Sequence, residues 1–577
     1  METDKRMIMA VALSIGVLIL WRVFLVKESP VPLQKAAPAQ AVVTPAPVTP
    51  SSRPQSPPAA KRSAPVKLPV QRGTTAQDLV VEGDVYRVTF STQGAVVKSW
   101  VLKKYRDEKG APLDVVDGAA CEILGFPMSL SLADSAQSDK VNAALFVANP
   151  GGSTVQGPAS VEFTFSDGKI QARKQFIFTH GYEIRAEVSV FDGQRYLPAA
   201  VAWPGGFGDH SLTQALKQAG SRFVTTKGLD LSFDRDGKVK EERVVSGPFR
   251  LAGLEDRYFA DIFLPADPDQ PFGEVWRARV RRQEWSPPDW KEKEKPKPLV
   301  ISLGSSEPKP LAFRLLVAPK DLDVLRGIKP ALDGLVDFGW FSFVAKPLFL
   351  GLRYIYDNWV HNYGWAIVIL TIFINMAMFP LKLKTIRSAQ EMQRIAPLVK
   401  SIQDKYKQYK FNDPRKQKMN QEVMKIYQEH GINPLGGCLP MVIQLPFLYG
   451  FYNVLTSAIE MRHAPWIGWI KDLSAPDKFH MFGFPLPILP TVMIITMFIM
   501  QKMTPMATAD PAQQRMMMIM PLVFGIMFYN FASGLVLFWL TGNLVGIAQQ
   551  AFINKLMPRA EPIPIPRKGA PGKDKEQ

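Results

Sequence analysis

Neutral hydrogen-bonding side chains placed inside otherwise apolar stretches are the main chemical signal of this chain. Thr371 and Asn375 stand one helical turn apart within one such stretch, and Lys382 continues their face one heptad on. Gln444 lies near the end of a second stretch, Gln501 closes a third, and Thr541, Asn543, Gln549 and Gln550 populate the last. Polar groups are costly in hydrocarbon. They either bond between helices, at about 0.6 kcal/mol each, or line a shared hydrated cavity. Their common bias toward one end of several stretches favours the cavity. Chemistry of this kind is non-covalent, hydration and hydrogen bonding within hydrocarbon.

Covalent chemistry has no comparable signal. The chain has no Gly-x-x-x-x-Gly-Lys-[Ser/Thr] loop and no His-Glu-x-x-His, and its six histidines are dispersed. Charges are nearly absent from the apolar stretches, which argues against a proton relay. No catalytic residue, metal ligand or cofactor is expected. Met493, Met497, Met500, Met503, Met506, Met516, Met517, Met518 and Met520 are flexible thioethers that suit either span filling or a surface accepting many apolar partners.

The elements that must position these groups are membrane spans. Six apolar stretches, at 7–26, 364–381, 438–457, 482–501, 516–531 and 534–553, approach the roughly 18–20 residues that cross a hydrocarbon core of about 30 Å. Residues 1–27 read as a retained anchor. Arg22 and Lys27 follow the apolar core, and the nearest small-x-small pattern, Ala37-Pro38-Ala39, is too distant for signal-peptide cleavage. The last two stretches meet at a tight turn over Asn530-Phe531-Ala532-Ser533-Gly534.

Charge sets the orientation. From Lys382 to Gly431 there are twelve Lys and Arg against five Asp and Glu, whereas the loop 458–481 has three of each. Basic residues stay on the cytoplasmic side of short loops. Both termini, segment 382–431, loop 502–515 and the tail 554–577 are therefore expected inside, with residues from about 28 to 345 outside. A net charge of +17 is then explained by orientation, lipid headgroups and ribosome contact rather than DNA. Cys121 and Cys438 fall on opposite sides and are not expected to pair.

Residues 28–77 are Pro- and Ala-rich, an extended linker. Across 78–325, short alternating runs such as Val85–Phe90, Ser160–Phe165 and Ala186–Phe191 are bounded by Gly, Asp and Pro, predicting a large antiparallel β-sandwich. Such sandwiches serve as scaffolds or docking modules, and others bind sugars or peptides. The aromatic segment 335–358 reads as an interfacial amphipathic helix. Within 382–431, Ile395, Leu398, Ile402, Tyr406 and Tyr409 form one stripe and Met419, Val423 and Ile426 another. Asp413 and Pro414 start the second helix, so a cytoplasmic helical hairpin is expected. The predicted fold class is a multi-domain membrane protein, an α-helical polytopic bundle of six spans with an all-β sandwich domain and this hairpin.

Particular residues go further. Asp337-Phe338-Gly339-Trp340, Met378-Phe379-Pro380-Leu381, Asn433-Pro434-Leu435-Gly436-Gly437-Cys438, Ile443-Gln444-Leu445-Pro446, Gln501-Lys502-Met503 and Ser533-Gly534-Leu535-Val536-Leu537 occur in that order. This set resembles the membrane protein insertase YidC family of Gram-negative bacteria. The resemblance covers the last 240 or so residues closely, and the anchor, linker and outer domain fit its architecture.

The resemblance implies five core helices around a hydrophilic groove open to the cytoplasm and the lipid of the bacterial inner membrane, beneath a periplasmic supersandwich. Expected partners are nascent membrane proteins, the Sec translocon with its accessory subunits, the ribosome and membrane lipids. Thr371, Asn375, Gln444, Gln501, Trp539 and Asn543 would line or flank the groove, with Lys382 and Lys384 at its mouth. Short fifth and sixth spans would thin the bilayer locally. The family commonly carries an arginine in the groove where this chain has Asn375, so that arginine's charge-pairing role does not carry over. Two rivals remain at this stage. A small-solute transporter requires internal repeats and intramembrane charges, and neither is seen. A carbohydrate enzyme built on the β domain requires that deleting 78–325 abolish function.

Overall fold

The computed structural model describes residues 67–211, 220–225, 231–235, 242–282, 298–339, 341–409, 413–432, 439–477, 479–481, 484–504 and 511–556. The predicted anchor, most of the linker, Asn433–Cys438, the loop 505–510 and the end of the tail lie outside them.

Alternating side chains in the first half form three sheets. One has the spatial order Pro112–Asp114, Val96–Arg106, Tyr86–Ser91, Asp78–Glu82, Thr154–Gln156. The largest sheet has nine strands, with Phe259–Pro265, Leu311–Pro319, Glu183–Phe191 and Gln171–Phe178 at its centre. The third runs Arg243–Ser246, Trp276–Arg282, Leu299–Ser305, Ala199–Trp203, Ser129–Leu132. Pairing is antiparallel as expected, except that Asp78–Glu82 pairs in parallel with Thr154–Gln156. Ile184, Ala186, Val188 and Val190 show the period-two burial that fixes register. One continuous apolar core joins the sheets.

Lys174 sits wholly inside that core. Its Nζ donates to the carbonyls of Gly94, Ala95 and Met128 at 2.7, 3.1 and 2.6 Å. Burial pushes the ammonium down to about 7. Three acceptors for three N–H groups are the counterweight. Helices α1 (Gly118–Leu124), α2 (Ser135–Ala143) and α3 (Leu322–Gly327) are each capped by an aspartate, Asp117, Asp134 and Asp321.

The second half is helical. Helix α4 (Ser342–Asn358) buries Ala345, Leu348, Phe349, Leu352 and Ile355 and exposes Phe343 and Tyr354, an amphipathic face at helical spacing. Helix α5 (Tyr363–Ala377), capped by Asn362, breaks at Met378 and turns by 57° into α6 (Phe379–Lys405). The expected straight span 364–381 is therefore bent. Pro380 has no N–H for the Met376 carbonyl, and its ring disfavours helix just before it.

Helix α6 pairs with α7 (Pro414–Glu429). Met392, Ile395 and Val399 pack with Val423, Ile426 and Tyr427. The buried stripe runs through Val399 rather than Leu398, one residue along, and continues to the buried Tyr406. Asp413 caps α7 at the Arg415 N–H.

Helices α8 (Leu439–Ser457), α9 (Ile488–Met503), α10 (Pro511–Phe528) and α11 (Ser533–Leu556) complete the bundle. Helix α9 starts later than the span expected from Phe482, because a short hairpin, Phe479–Met481 with Phe484–Leu486, precedes it. Pro485 and Pro487, two residues apart, favour extended backbone there. Its 16 residues give about 24 Å, whereas the 24 residues of α11 give about 36 Å. The fifth stretch falls in the short apolar helix Met516–Phe528, whereas the final helix is longer than the short span expected there. Among the described residues α11 alone is long and apolar enough to cross a membrane, the bent α5–α6 pair passes jointly, and α9 and Met516–Phe528 are shorter apolar helices.

Candidate functional site: a half-open polar cavity

A half-open cavity of 410 Å³ lies among α5, α6, α8, α9, α10 and α11. Its polar wall is built from the bend. Because α6 turns back at Met378, Lys382 points its Nζ at Asn375 Oδ1, 2.7 Å away, and at Gln549 Oε1, 3.2 Å away. Gln549 Nε2 donates in return to the Asn375 carbonyl at 3.1 Å, and Asn375 Nδ2 to the Thr371 carbonyl at 2.8 Å. Three helices thus share one polar network holding a cation. Asn543, on the same wall, donates to Thr496 Oγ1 at 3.3 Å.

The facing wall is apolar. Trp539 packs against Phe524 and Phe528 at ring distances of 5.7 and 5.4 Å. Phe524, Trp539, Leu445 and Leu448 line the cavity. Leu445 is 47% exposed, and the row Met518, Ile519, Leu522, Val523 and Ile526 on α10 is also exposed. Exposed apolar surface of this extent beside a polar cavity suits lipid or a passing apolar segment.

Of the eight residues placed in or at the mouth of the groove, the cavity gathers five, Asn375, Lys382, Gln444, Trp539 and Asn543, and it adds Gln549 and Gln550 from the polar set of the last stretch. Thr371 is buried, with its hydroxyl donating to the Ile367 carbonyl, and supports Asn375 from one turn away. Gln501 ties α9 to α10 by donating to the Met517 carbonyl at 2.6 Å, outside the cavity lining. Lys384 is exposed on α6 and does not line the cavity.

The sequence reading missed Thr385, Thr504, Gly542 and Gly546, all in the lining. A signal for the glycines was present in their four-residue spacing, which lets helices approach closely. A Cβ at Gly546 would lie 2.9 Å from Met500 Sδ on α9, and one at Gly542 would lie 3.8 Å from Asn375 Nδ2 on α5.

Comparison with known proteins agrees along the whole chain. Residues 355–560 match the family described as 60Kd inner membrane protein, and residues 78–350 match the YidC periplasmic domain. The membrane protein insertase YidC of Syntrophus aciditrophicus is 32% identical, over 96% of this chain and 99% of that protein. That of Geotalea daltonii is 33% identical, over 96% of this chain and 100% of that protein. A solved structure described as an active YidC insertase with the first transmembrane domain resolved covers 84% of this chain and 94% of its own at 17% identity and TM-score 0.35, too loose to define geometry. With family matches over residues 78–350 and 355–560 and relatives above 30% identity aligned over 96% of its length, this chain belongs to the YidC family of membrane protein insertases.

Proposed function

We propose that this chain inserts proteins into the inner membrane by offering their polar segments the cavity and their apolar segments the adjoining flank, with no covalent step. The observation carrying this reading is the Lys382–Asn375–Gln549 network, a partly buried lysine and amides set inside an otherwise apolar bundle. Such a pocket lowers the cost of drawing a short polar tail into hydrocarbon, and burial of the substrate's apolar segment supplies the driving force.

Lys382 supplies the charge that the family resemblance implies at the Asn375 position. Asn375 becomes its holder, aiming the ammonium into the cavity through Oδ1. Lys384, exposed outside it, contributes only to the surrounding basic surface. Gln444, Trp539 and Asn543 line the path, Thr371 braces Asn375, and Gln501 fixes the α9–α10 pair.

Six spans, counting the N-terminal stretch, place the β domain in the periplasm and the α6–α7 pair in the cytoplasm, following the Lys and Arg bias. The basic pair and tail suit ribosome and headgroup contact, and the Sec translocon is a co-acting partner for larger substrates. The test is reconstitution of the purified chain in liposomes with a small membrane protein bearing an acidic or a neutral translocated tail. Lys382→Gln is expected to slow the acidic-tailed substrate several-fold and the neutral one less, with Lys384→Gln near wild type. Equal effects of the two substitutions would refute the role given to Lys382, and no insertion by the wild type would refute autonomous insertion.

A further inference from the structure

Glu108, in the hairpin between Val96–Arg106 and Pro112–Asp114, is more than 350 residues from His463 and Asp472, which lie on the loop joining α8 to the Phe479–Met481 strand. Folding brings them together. His463 Nε2 lies 3.5 Å from Glu108 Oε1 and 4.0 Å from Asp472 Oδ2, and one ligand atom from each residue lies within 4.8 Å of the others. Ligands about 2.0–2.2 Å from a tetrahedral zinc ion sit roughly 3.3–3.5 Å apart. The Glu108–His463 separation already matches that spacing, and the wider separations involving Asp472 call for small side-chain shifts, for which Glu108, 40% exposed, has room.

The groups are held ready. Asp472 Oδ1 accepts from both the N–H and the hydroxyl of Ser474 at 2.7 Å, which leaves Oδ2 toward the imidazole. The Glu108 N–H donates to Ser211 Oγ at 3.0 Å, Ser211 bonds Asp209, and Asp209 pairs with Arg462 beside His463. Arg462 also lies 4.0 Å from Glu108, yet its charge is met by the fully buried Asp209, so two carboxylates face one imidazole with an excess of negative charge.

We propose that Glu108, His463 and Asp472 form a binding site for a divalent first-row transition ion, of the zinc class, that pins the β domain to the loop over the helical bundle. Mixed imidazole and carboxylate ligands suit zinc, copper or nickel rather than magnesium or calcium. Partial exposure leaves room for water as the fourth ligand and a way in for the ion.

The experiment is zinc titration of the chelator-stripped full-length chain in detergent by calorimetry, beside Glu108→Gln, His463→Asn and Asp472→Asn. Asparagine is chosen at 463 because that residue has φ +55°, which asparagine tolerates. His180→Asn, at the distant Asp84 pair, serves as control. One equivalent bound by wild type and the control, at least tenfold more weakly by each of the three variants, with zinc raising the unfolding temperature of wild type and the control but not of the variants, is the expected result. No binding by wild type, or equal binding by wild type and the triple variant, would overturn the site and leave the cluster an ion pair. Monodisperse elution identifies variants that fold, and any one of the three suffices for the comparison.

Discussion

Polar residues in apolar tracts were legible because their cost demands a reason, which is why Asn375, Gln444 and Asn543 could be named from sequence. What Lys382 does was not legible, since its reach to Asn375 depends on a bend angle. The grouping of Glu108 with His463 was equally hidden, because long-range proximity leaves no local pattern. Glu460 is another such residue. Burial pushes its carboxyl up from 4.5 to about 7, with Asp321 and Asp323 adding to the rise and Arg353 opposing it. In the native state it keeps its proton from about pH 4.5 to 7, where the unfolded chain has lost it. Stability should therefore fall as pH rises through this window, by about 3 kcal/mol. Glu460→Gln should flatten that slope in thermal unfolding scans between pH 5 and 7.5. An unchanged slope would mean the carboxyl is already ionised in the fold.

Strands were legible where alternation was strong, as along Glu183–Phe191, while two helix boundaries shifted at prolines. Pro485 and Pro487 convert the start of an apolar run into a hairpin, and Pro380 breaks a run that hydropathy alone draws as straight. That break sets the geometry of the cavity wall, because Lys382 reaches Asn375 across the 57° turn. Pro380→Ala restores the N–H that the Met376 carbonyl lacks and removes the ring clash, a change worth up to about 3 kcal/mol toward continuous helix. Spin labels on α5 and α6 should then report a longer separation, and insertion of an acidic-tailed substrate should fall toward the Lys382→Gln level. An unaltered distance would show that packing against α11, rather than the proline, holds the bend.

At the scale of the molecule, the β domain and the bundle have separate apolar cores, yet residues 63–577 form one compact unit. Charged contacts join the cores. Arg257 donates to the Thr456 carbonyl, Arg353 pairs with Asp323, and Arg462 pairs with Asp209. The last pair decides the coupling, because Asp209 is fully buried and Arg462 is 3% exposed. Removing the cation leaves an unpaired carboxylate, a loss of roughly 3–5 kcal/mol, whereas neutralising both partners costs far less. Arg462→Met should therefore lower the unfolding temperature of the full chain sharply and split one transition into two, the β domain melting separately. Asp209→Asn combined with Arg462→Met should recover much of the loss. Insertion should persist in both, since none of the cavity's polar network lies on this interface, and that persistence distinguishes a docked β domain from one that takes part in the chemistry. Loss of insertion in the stable double variant would instead make domain docking part of the working cycle.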